Sequence, residues 1–175
     1  EFLTEKVGLD PNRIYVTAFI GDEKNGIPRD DETAEIWKKV FAEKGIEART
    51  AEIGSGENGD KRGMKPGERI FFYDDQQNWW SRNGGINTTP IGDPCGPDSE
   101  VFYDFGENYH DPKFGLAHPA SDSGRFVEIA NQVFMQYKRM EDGGFSPLEK
   151  TNIDFGGGLG IAYNGETPPA ADALC

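Results

Sequence analysis

Residues 125–137 read Arg125-Phe126-Val127-Glu128-Ile129-Ala130-Asn131-Gln132-Val133-Phe134-Met135-Gln136-Tyr137, and the conformation of this stretch decides the fold. Positions 126, 127, 130, 133, 134 and 137 fall on one face of a 3.6-residue spiral, so periodicity by itself predicts a helix. The composition pulls the other way, because branched and aromatic side chains suit a pleated surface. Asn131 and Gln132 interrupt the apolar run. A buried amide must find hydrogen-bond partners, either backbone groups of the protein or a ligand carbonyl.

Toward the N-terminus, Val101-Phe102-Tyr103 and Ile70-Phe71-Phe72-Tyr73 read as short strands. They flank a Gly-, Pro- and Asn-rich excursion that holds Trp79, Trp80, Pro90, Pro94 and Pro97. Such an excursion is long for a compact domain, and long ordered loops tend to carry function. Ile14-Tyr15-Val16-Thr17-Ala18-Phe19-Ile20 suits a strand covered on both faces. After Pro28, Asp30 and Asp31 can accept from the free amides of a first helical turn, and Ile36, Trp37, Val40 and Phe41 recur at helical spacing. A helix over 31–44 ending at Gly45 is expected. From Gly54 to Gly67 almost nothing is apolar, which predicts a mobile surface loop. Toward the C-terminus, Glu149 to Asp154 reads as extended, and Gly156, Gly157 and Gly158 offer backbone freedom or close approach to a ligand. Beyond Gly160 little remains to pack, and a frayed tail is expected. There is no internal repeat, and one domain is the economical count.

The 175 residues carry 18 Lys and Arg against 31 Asp and Glu, a formal charge of −13, which argues against nonspecific nucleic-acid binding. With 35% hydrophobic and 12% aromatic residues the chain can build a core, despite a mean hydropathy of −0.68. Two cysteines, Cys95 and Cys175, make neither a disulfide framework nor a zinc ligand set, so a reducing, cytoplasmic setting is the default. No apolar run approaches the roughly 20 residues of a membrane span, and the start lacks a secretory pattern. The chain opens with Glu1 rather than Met, as an excised piece of a longer protein would.

Several residue groups invite a chemical reading. Asp154, before three glycines, could hold a ligand ammonium or could cap a turn. Trp79 and Trp80 could wall a small pocket or form a satellite apolar cluster. His110 and His118, with Asp104, Asp111 and Asp122 nearby, match no metal-ligand spacing and read as surface loop residues. Cys95 in Pro94-Cys95-Gly96-Pro97 reads as part of a rigid turn rather than as a nucleophile, since no adjacent histidine lowers its pKa. The pairs Asp30/Asp31 and Asp74/Asp75 read as solvated surface, because adjacent strand residues point to opposite faces. Neither a Walker loop nor a GxGxxG fingerprint is present.

Taken together, Asn78-Trp79-Trp80, Gly92-Asp93-Pro94-Cys95-Gly96-Pro97-Asp98-Ser99-Glu100 and Val101-Phe102-Tyr103-Asp104 resemble the catalytic domain of the alanyl-tRNA synthetases. Residues 125–137 are similar to that family's inner strand, and Asn152-Ile153-Asp154-Phe155-Gly156-Gly157-Gly158-Leu159 resembles the start of its third class II motif. The resemblance runs collinearly over residues 1–159, and linked motifs are more specific than any one alone. It implies an α+β fold with an antiparallel sheet flanked by helices, partial and class II synthetase-like, in which 126–137 is a strand against its own periodicity.

The resemblance further implies that Asp154 binds the ammonium of alanine, that Asn131 contacts its carboxylate side, and that Trp80 and Val133 shape a methyl pocket. Gly156 would let the backbone approach alanine and adenylate, with Asn131, Gly156 and Gly158 contributing to the ATP side. One methyl in an apolar pocket discriminates by only about 1–3 kcal/mol. In the full enzyme alanine is activated with ATP and Mg²⁺ and transferred to tRNA(Ala). This sequence departs from the family pattern after Leu159, where Gly160 and Ile161 stand in place of Glu-Arg. It also begins past the first two motifs, whose arginine meets the ATP phosphates, and residues 160–175 resemble nothing in the family. Positive charge on a transferring phosphate is a large part of such catalysis. The expectation is therefore a fragment with its amino-acid-binding half present and no intact catalytic residue, metal site or tightly bound cofactor. It would be inactive alone, and would self-associate or need a complementing chain. The alternative is a noncatalytic binding protein derived from the synthetase fold.

Overall fold

The computed structural model describes residues 2–155, with side chains through Leu148. Three residues of a 3-10 turn, Pro11–Arg13, lead into strand β1, Ile14–Phe19, whose side chains are almost all buried. Helix α1, Asp31–Glu43, starts where Asp30 accepts from the Thr33 amide at 3.0 Å. It ends ahead of Gly45, which takes a positive φ. Of its expected apolar stripe, Phe41 is buried and Trp37 half-buried, while Ile36 and Val40 are exposed. Strand β2, Arg49–Gly54, leads to helix α2, Gly56–Arg62, and then strand β3, Glu68–Tyr73.

Helix α2 corrects the expectation of a structureless loop over 54–67. Ser55 caps it by accepting from the Asn58 amide at 3.2 Å, and the Asn58 side chain donates to the Ile53 carbonyl. The sequence there has no apolar face to advertise a helix. Its fixing contact comes from elsewhere in the chain, where His118 packs against Gly59.

Strand β4 is only Trp79–Trp80, paired antiparallel with strand β5, Pro94–Asp104. Strands β6, Phe126–Arg139, and β7, Phe145–Phe155, complete a seven-stranded sheet ordered β2-β3-β1-β5-β6-β7, with β4 beside β5. The 126–137 stretch is thus a strand, as the family resemblance implied and its periodicity did not. Pairing with β5 on one edge and β7 on the other fixes the strand through its backbone, and with only Phe126 and Val133 fully buried its apolar residues need not alternate strictly. The extended reading of 149–154 falls within β7. The reading of residues beyond Phe155 as a frayed tail lies outside the described residues.

The α+β class stands. From β1 through β5 and β6 to β7 every pairing is antiparallel, and on the other side of β1 the sheet continues through β3 and β2 with parallel pairing. Pro94-Cys95-Gly96-Pro97, read as a turn, is instead the start of β5, where Gly96 pairs with Trp80 and Pro97 with Trp79. Prolines without an N–H are tolerated there because the register slips between Cys95 and Asp98. Gly96 is required by packing, since a Cβ would collide with the Phe134 carbonyl.

Alternate residues send two different surfaces to the two faces. Ile14, Val16, Ala18, Ile70, Phe72 and Val101 form one cluster with Ala34 and Phe41 of α1. On the opposite face Phe71 and Tyr73 pack with Ala51 and Ile53, flanked by Tyr15, Met64 and Ala120. A third cluster joins Phe19, Ile27, Trp79, Ile86 and Cys95, with Trp79 stacked at 6.1 Å on Tyr137 and edge-on to Phe145.

Candidate functional site

The face of the sheet away from α1 carries its polar residues in the middle, on β1, β5 and β6. Period-2 alternation puts Asp98 and Glu100 on this face while Ser99 turns to α1, where its hydroxyl accepts from the Trp37 indole at 3.0 Å. Thr17, fully buried, holds the group together: its hydroxyl oxygen accepts from the Asn78 side-chain amide at 2.7 Å and from the Glu100 amide at 3.2 Å. The same Asn78 nitrogen donates to Asp98 at 3.0 Å. Asn131 donates weakly to Glu100, at 3.4 Å, and its own carbonyl oxygen is buried without a partner, as is that of Asn78; the Gln132 carbonyl, also unpartnered, lies with Ser99 on the α1 side. In a folded interior such orphan acceptors ask for a donor from outside.

Burial pushes the Asp98 carboxyl up to about 7, against the pull of Asn78 and Asn131, and with only 3% exposure water does little to solvate its charge. Burial, reinforced by Asp98 and Glu128, pushes Glu100 up to about 9. Glu128, on the rim, is also raised by burial. None of the three pairs with a described Lys or Arg. Elsewhere the chain does neutralise its buried carboxylates: Asp104 takes two bonds of 2.8 Å from Arg125, and Glu68 is held by Arg62. Asp98 and Glu100 are therefore an unbalanced negative pair in a partly dry place. A cationic ligand group such as an ammonium would ionise them and be held by them.

Strand register brings the sequence candidates together. Val133, 4% exposed, pairs with Asp98 on one side and with the main chain of Asp154 on the other, while Asn131 pairs with Glu100. Asp98, Val133 and Asp154 thus form one row across three strands. Trp80 is half-buried beside Gly96, and its neighbour Trp79 is a core residue, so the apolar-cluster reading holds for that indole. The side chain of Asp154, and Gly156 and Gly158 altogether, lie outside the described side chains. Sequence reading passed over Asp98, Glu100, Glu128, Asn78 and Thr17. Asn78, Asp98 and Glu100 stood in the motifs that carried the family resemblance, but no role was read for them, and the run was read as strand only from 101.

Two further expectations are corrected. His118 is not a surface residue: it is fully buried, its Nδ1 lies 2.7 Å from the Tyr73 hydroxyl and its Nε2 lies 3.1 Å from Asp60. His110 is half-buried, with Nε2 3.0 Å from the Gly115 carbonyl. The apolar weight of Tyr73 and Met64 beneath the 116–121 segment draws His118 inward, which its polar sequence context conceals. Cys95 is buried, and burial pushes its thiol up to about 11, so it is no nucleophile. Asp30, Asp74 and Asp75 act as backbone caps, accepting from the amides of Thr33, Gln76 and Ile86.

Two neighbouring carboxylates without a described cation, orphan amide carbonyls and one small apolar side chain thus lie together on one face of the sheet. The profile of the family described as tRNA synthetases class II (A) matches residues 1–163. The chain belongs to that family. It is 36% identical over 165 residues to the alanine–tRNA ligase of Rubrobacter xylanophilus, covering 91% of this chain and 15% of that protein. To the alanine–tRNA ligase of Treponema pallidum it is 37% identical over 161 residues, covering 91% of this chain and 21% of that one. This synthetase-family chain therefore spans about a seventh to a fifth of the length of these relatives. Among its described residues no group of three or more His, Cys, Asp or Glu is set to hold a metal ion, and no helix is long and apolar enough to cross a membrane. The donor set fits an amine. It does not fit Mg²⁺ or the phosphates of ATP, because the carboxylate face offers neither a metal cluster nor a described cation.

Proposed function

We propose that this chain carries the amino-acid-binding part of an alanine–tRNA ligase, whose whole form activates alanine with ATP and transfers it to tRNA(Ala). The row Asp98–Val133–Asp154 beside the Glu100–Asn131 pair carries the reading. In this reading Asp154 binds the ammonium of alanine, and the unbalanced charge of Asp98 and Glu100 raises the negative potential around it. Asn131 contacts the carboxylate side of the amino acid through its amide. Val133 and Trp80 bound a space for one methyl, and Gly156 allows close approach of the main chain, with Asn131, Gly156 and Gly158 on the ATP side. Size exclusion by such walls rejects larger amino acids, whereas rejection of glycine rests on one methyl, about 1–3 kcal/mol.

Alone, the chain binds the amino-acid moiety and does not form adenylate, since the described site has no cation to meet the phosphates. Calorimetric titration with a non-hydrolysable alanyl-adenylate analogue, beside its seryl counterpart, tests this. Alanyl-selective binding that disappears in Asp154→Ala is the expected result, and absence of binding overturns the reading. Alanine-dependent pyrophosphate exchange by the purified chain would overturn the proposed inactivity. The same absence of a phosphate-binding cation favours, as a second reading, a noncatalytic binding protein derived from the fold. A stoichiometric protein partner recovered in a pull-down would support it.

A further inference from the structure

Beside the carboxylate face runs an open groove of about 480 Å³, with Glu100, Phe102 and Glu128 on its floor and Pro119, Ala120 and Asp122 in its wall. That wall belongs to a segment with no regular structure that is nevertheless fastened at several points. The Leu116 amide donates to the Asp60 carbonyl at 2.7 Å, the Met64 amide donates to the Ala117 carbonyl at 3.1 Å, and the Ser121 amide donates to the His118 carbonyl at 3.0 Å. The central fastener is His118, enclosed between α2 and β3. Gly59 of α2 lies so close that a Cβ there would meet the imidazole at 2.5 Å. Nothing but glycine fits.

The polarity of each bond follows from its neighbours. Asp60 can only accept, so Nε2 of His118 carries the proton and donates to it. Nδ1 is then bare and accepts from the Tyr73 hydroxyl at 2.7 Å. The Ala120 main chain in turn donates to the Tyr73 oxygen. Every donor and acceptor of the chain Asp60–His118–Tyr73–Ala120 is used once, provided that the imidazole is neutral. A second proton on Nδ1 reverses the bond to Tyr73. The tyrosine oxygen would then accept from both His118 and the Ala120 main chain, and its own hydrogen would lose the imidazole acceptor it has in the neutral state. Leaving such a buried donor unmet is unfavourable enough to favour opening.

We propose that Asp60, His118 and Tyr73 form a proton-operated clasp that holds the wall of the acidic groove against the sheet and releases it when His118 is protonated. This deepens the amino-acid-site reading, on which its functional consequence rests, by assigning that site a pH-dependent wall. His118 is a positioning residue, acting through Pro119–Asp122. The charged and titratable groups facing it are Asp60 from α2, Tyr73 from β3 and Asp122 from the segment itself, with Arg62 and Glu100 acting on Tyr73. Burial outweighs the two aspartates and lowers the imidazole below its ordinary value. Asp60, its side chain 42% exposed, gives the buried ring a route to solvent protons. The sign is fixed: a histidine whose folded-state pKa is lowered favours the closed form fully above the ordinary imidazole value, and that advantage is lost as the pH falls below it.

The test is a nitrogen-15 and hydrogen-exchange titration of the free chain from about pH 8 to about pH 5, spanning the ordinary imidazole range. Long-range nitrogen spectra should show the Nε2–H tautomer at high pH. As His118 gains its second proton, exchange protection at Leu116, Ala120 and Ser121, corrected for intrinsic rate, should fall about tenfold while Val16 and Ile70 keep theirs. In Tyr73→Phe the same three amides should be weakly protected throughout, with no step at the titration of His118. An Nδ1–H tautomer, a titration with unchanged protection, or an unaltered step in Tyr73→Phe each overturns the clasp. These readouts need no ligand, so they separate from the site reading. Failure of the alanyl-adenylate analogue to bind at high pH refutes the amino-acid site alone. Binding in the wild type that shows no break where His118 titrates refutes the clasp's hold on the groove.

Discussion

The two faces of the central strands are built from alternate residues of the same segments, yet they obey different rules. On the α1 side, Val16, Ile70, Phe72 and Val101 meet Ala34 and Phe41, and the Trp37 indole, the Ser99 hydroxyl and the Thr17 carbonyl are joined by hydrogen bonds. On the other side Thr17, Asp98, Glu100 and Asn131 leave carbonyl oxygens unmet and carboxylates without cations. One face is closed mainly by apolar packing. The other keeps buried carboxylates without a described cation, which is what the proposed amine site would use.

The largest test of this contrast is on the satisfied side. Phe72→Ala removes a side chain only 2% exposed and should cost about 4 kcal/mol in urea unfolding. Next, Arg125→Ala removes two of the bonds to Asp104, which is 7% exposed, leaving only the Gly106 amide, and should cost about 2 kcal/mol by the same measurement. On the unsatisfied side the sign reverses: Asp98→Asn should gain about 1 kcal/mol of stability at pH 8, by removing a buried charge, while weakening analogue binding about tenfold. A loss of stability with unchanged binding would erase the distinction between the faces. The smallest effect is expected at Ile36, 52% exposed on α1 despite its place in the apolar pattern, where Ile36→Ser should stay within about 0.5 kcal/mol.

Proton linkage sharpens the contrast further. Carboxyls with raised folded-state values stabilise the fold fully at low pH, and that contribution is lost as pH rises through about 7 for Asp98 and about 9 for Glu100. Unfolding midpoints should therefore slope downward above neutrality, and Glu100→Gln should flatten the upper part of that slope. His118 has the opposite sign, its contribution disappearing on the acid side. Bound amine should abolish the alkaline decline, because it compensates the two negative charges. A midpoint that rises from pH 7 to 9 in the free chain would show that the carboxylates already have a partner.

Much of this was legible before any coordinates. The buried strand at 14–19, the capped helix from Asp31 and the strand at 70–73 follow from patterning, and the membership in the synthetase family follows from linked motifs. What stayed hidden has a common cause. The polar segment 56–62 is a helix because Ser55 caps it and His118 packs on Gly59, a partner nearly sixty residues away. His118 looked like loop surface because the groups that bury it come from α2 and β3. Asp98 and Glu100 looked unremarkable in sequence because only pairing with β1 and β6 dries them.

The sequence by itself determined the family, the acidic character of the chain, and which side chains alternate between the two faces of each strand, since these depend on composition, linked motifs and the two-residue period. Only the tertiary structure decided that 56–62 is a helix, that Asp98 and Glu100 are buried together with no described Lys or Arg paired to them, and that a histidine bridges α2 to the sheet. The reason is physical: conformation at an inner strand, and the ionisation of a buried acid or imidazole, depend on neighbours brought close by folding, and local sequence carries no record of their distance.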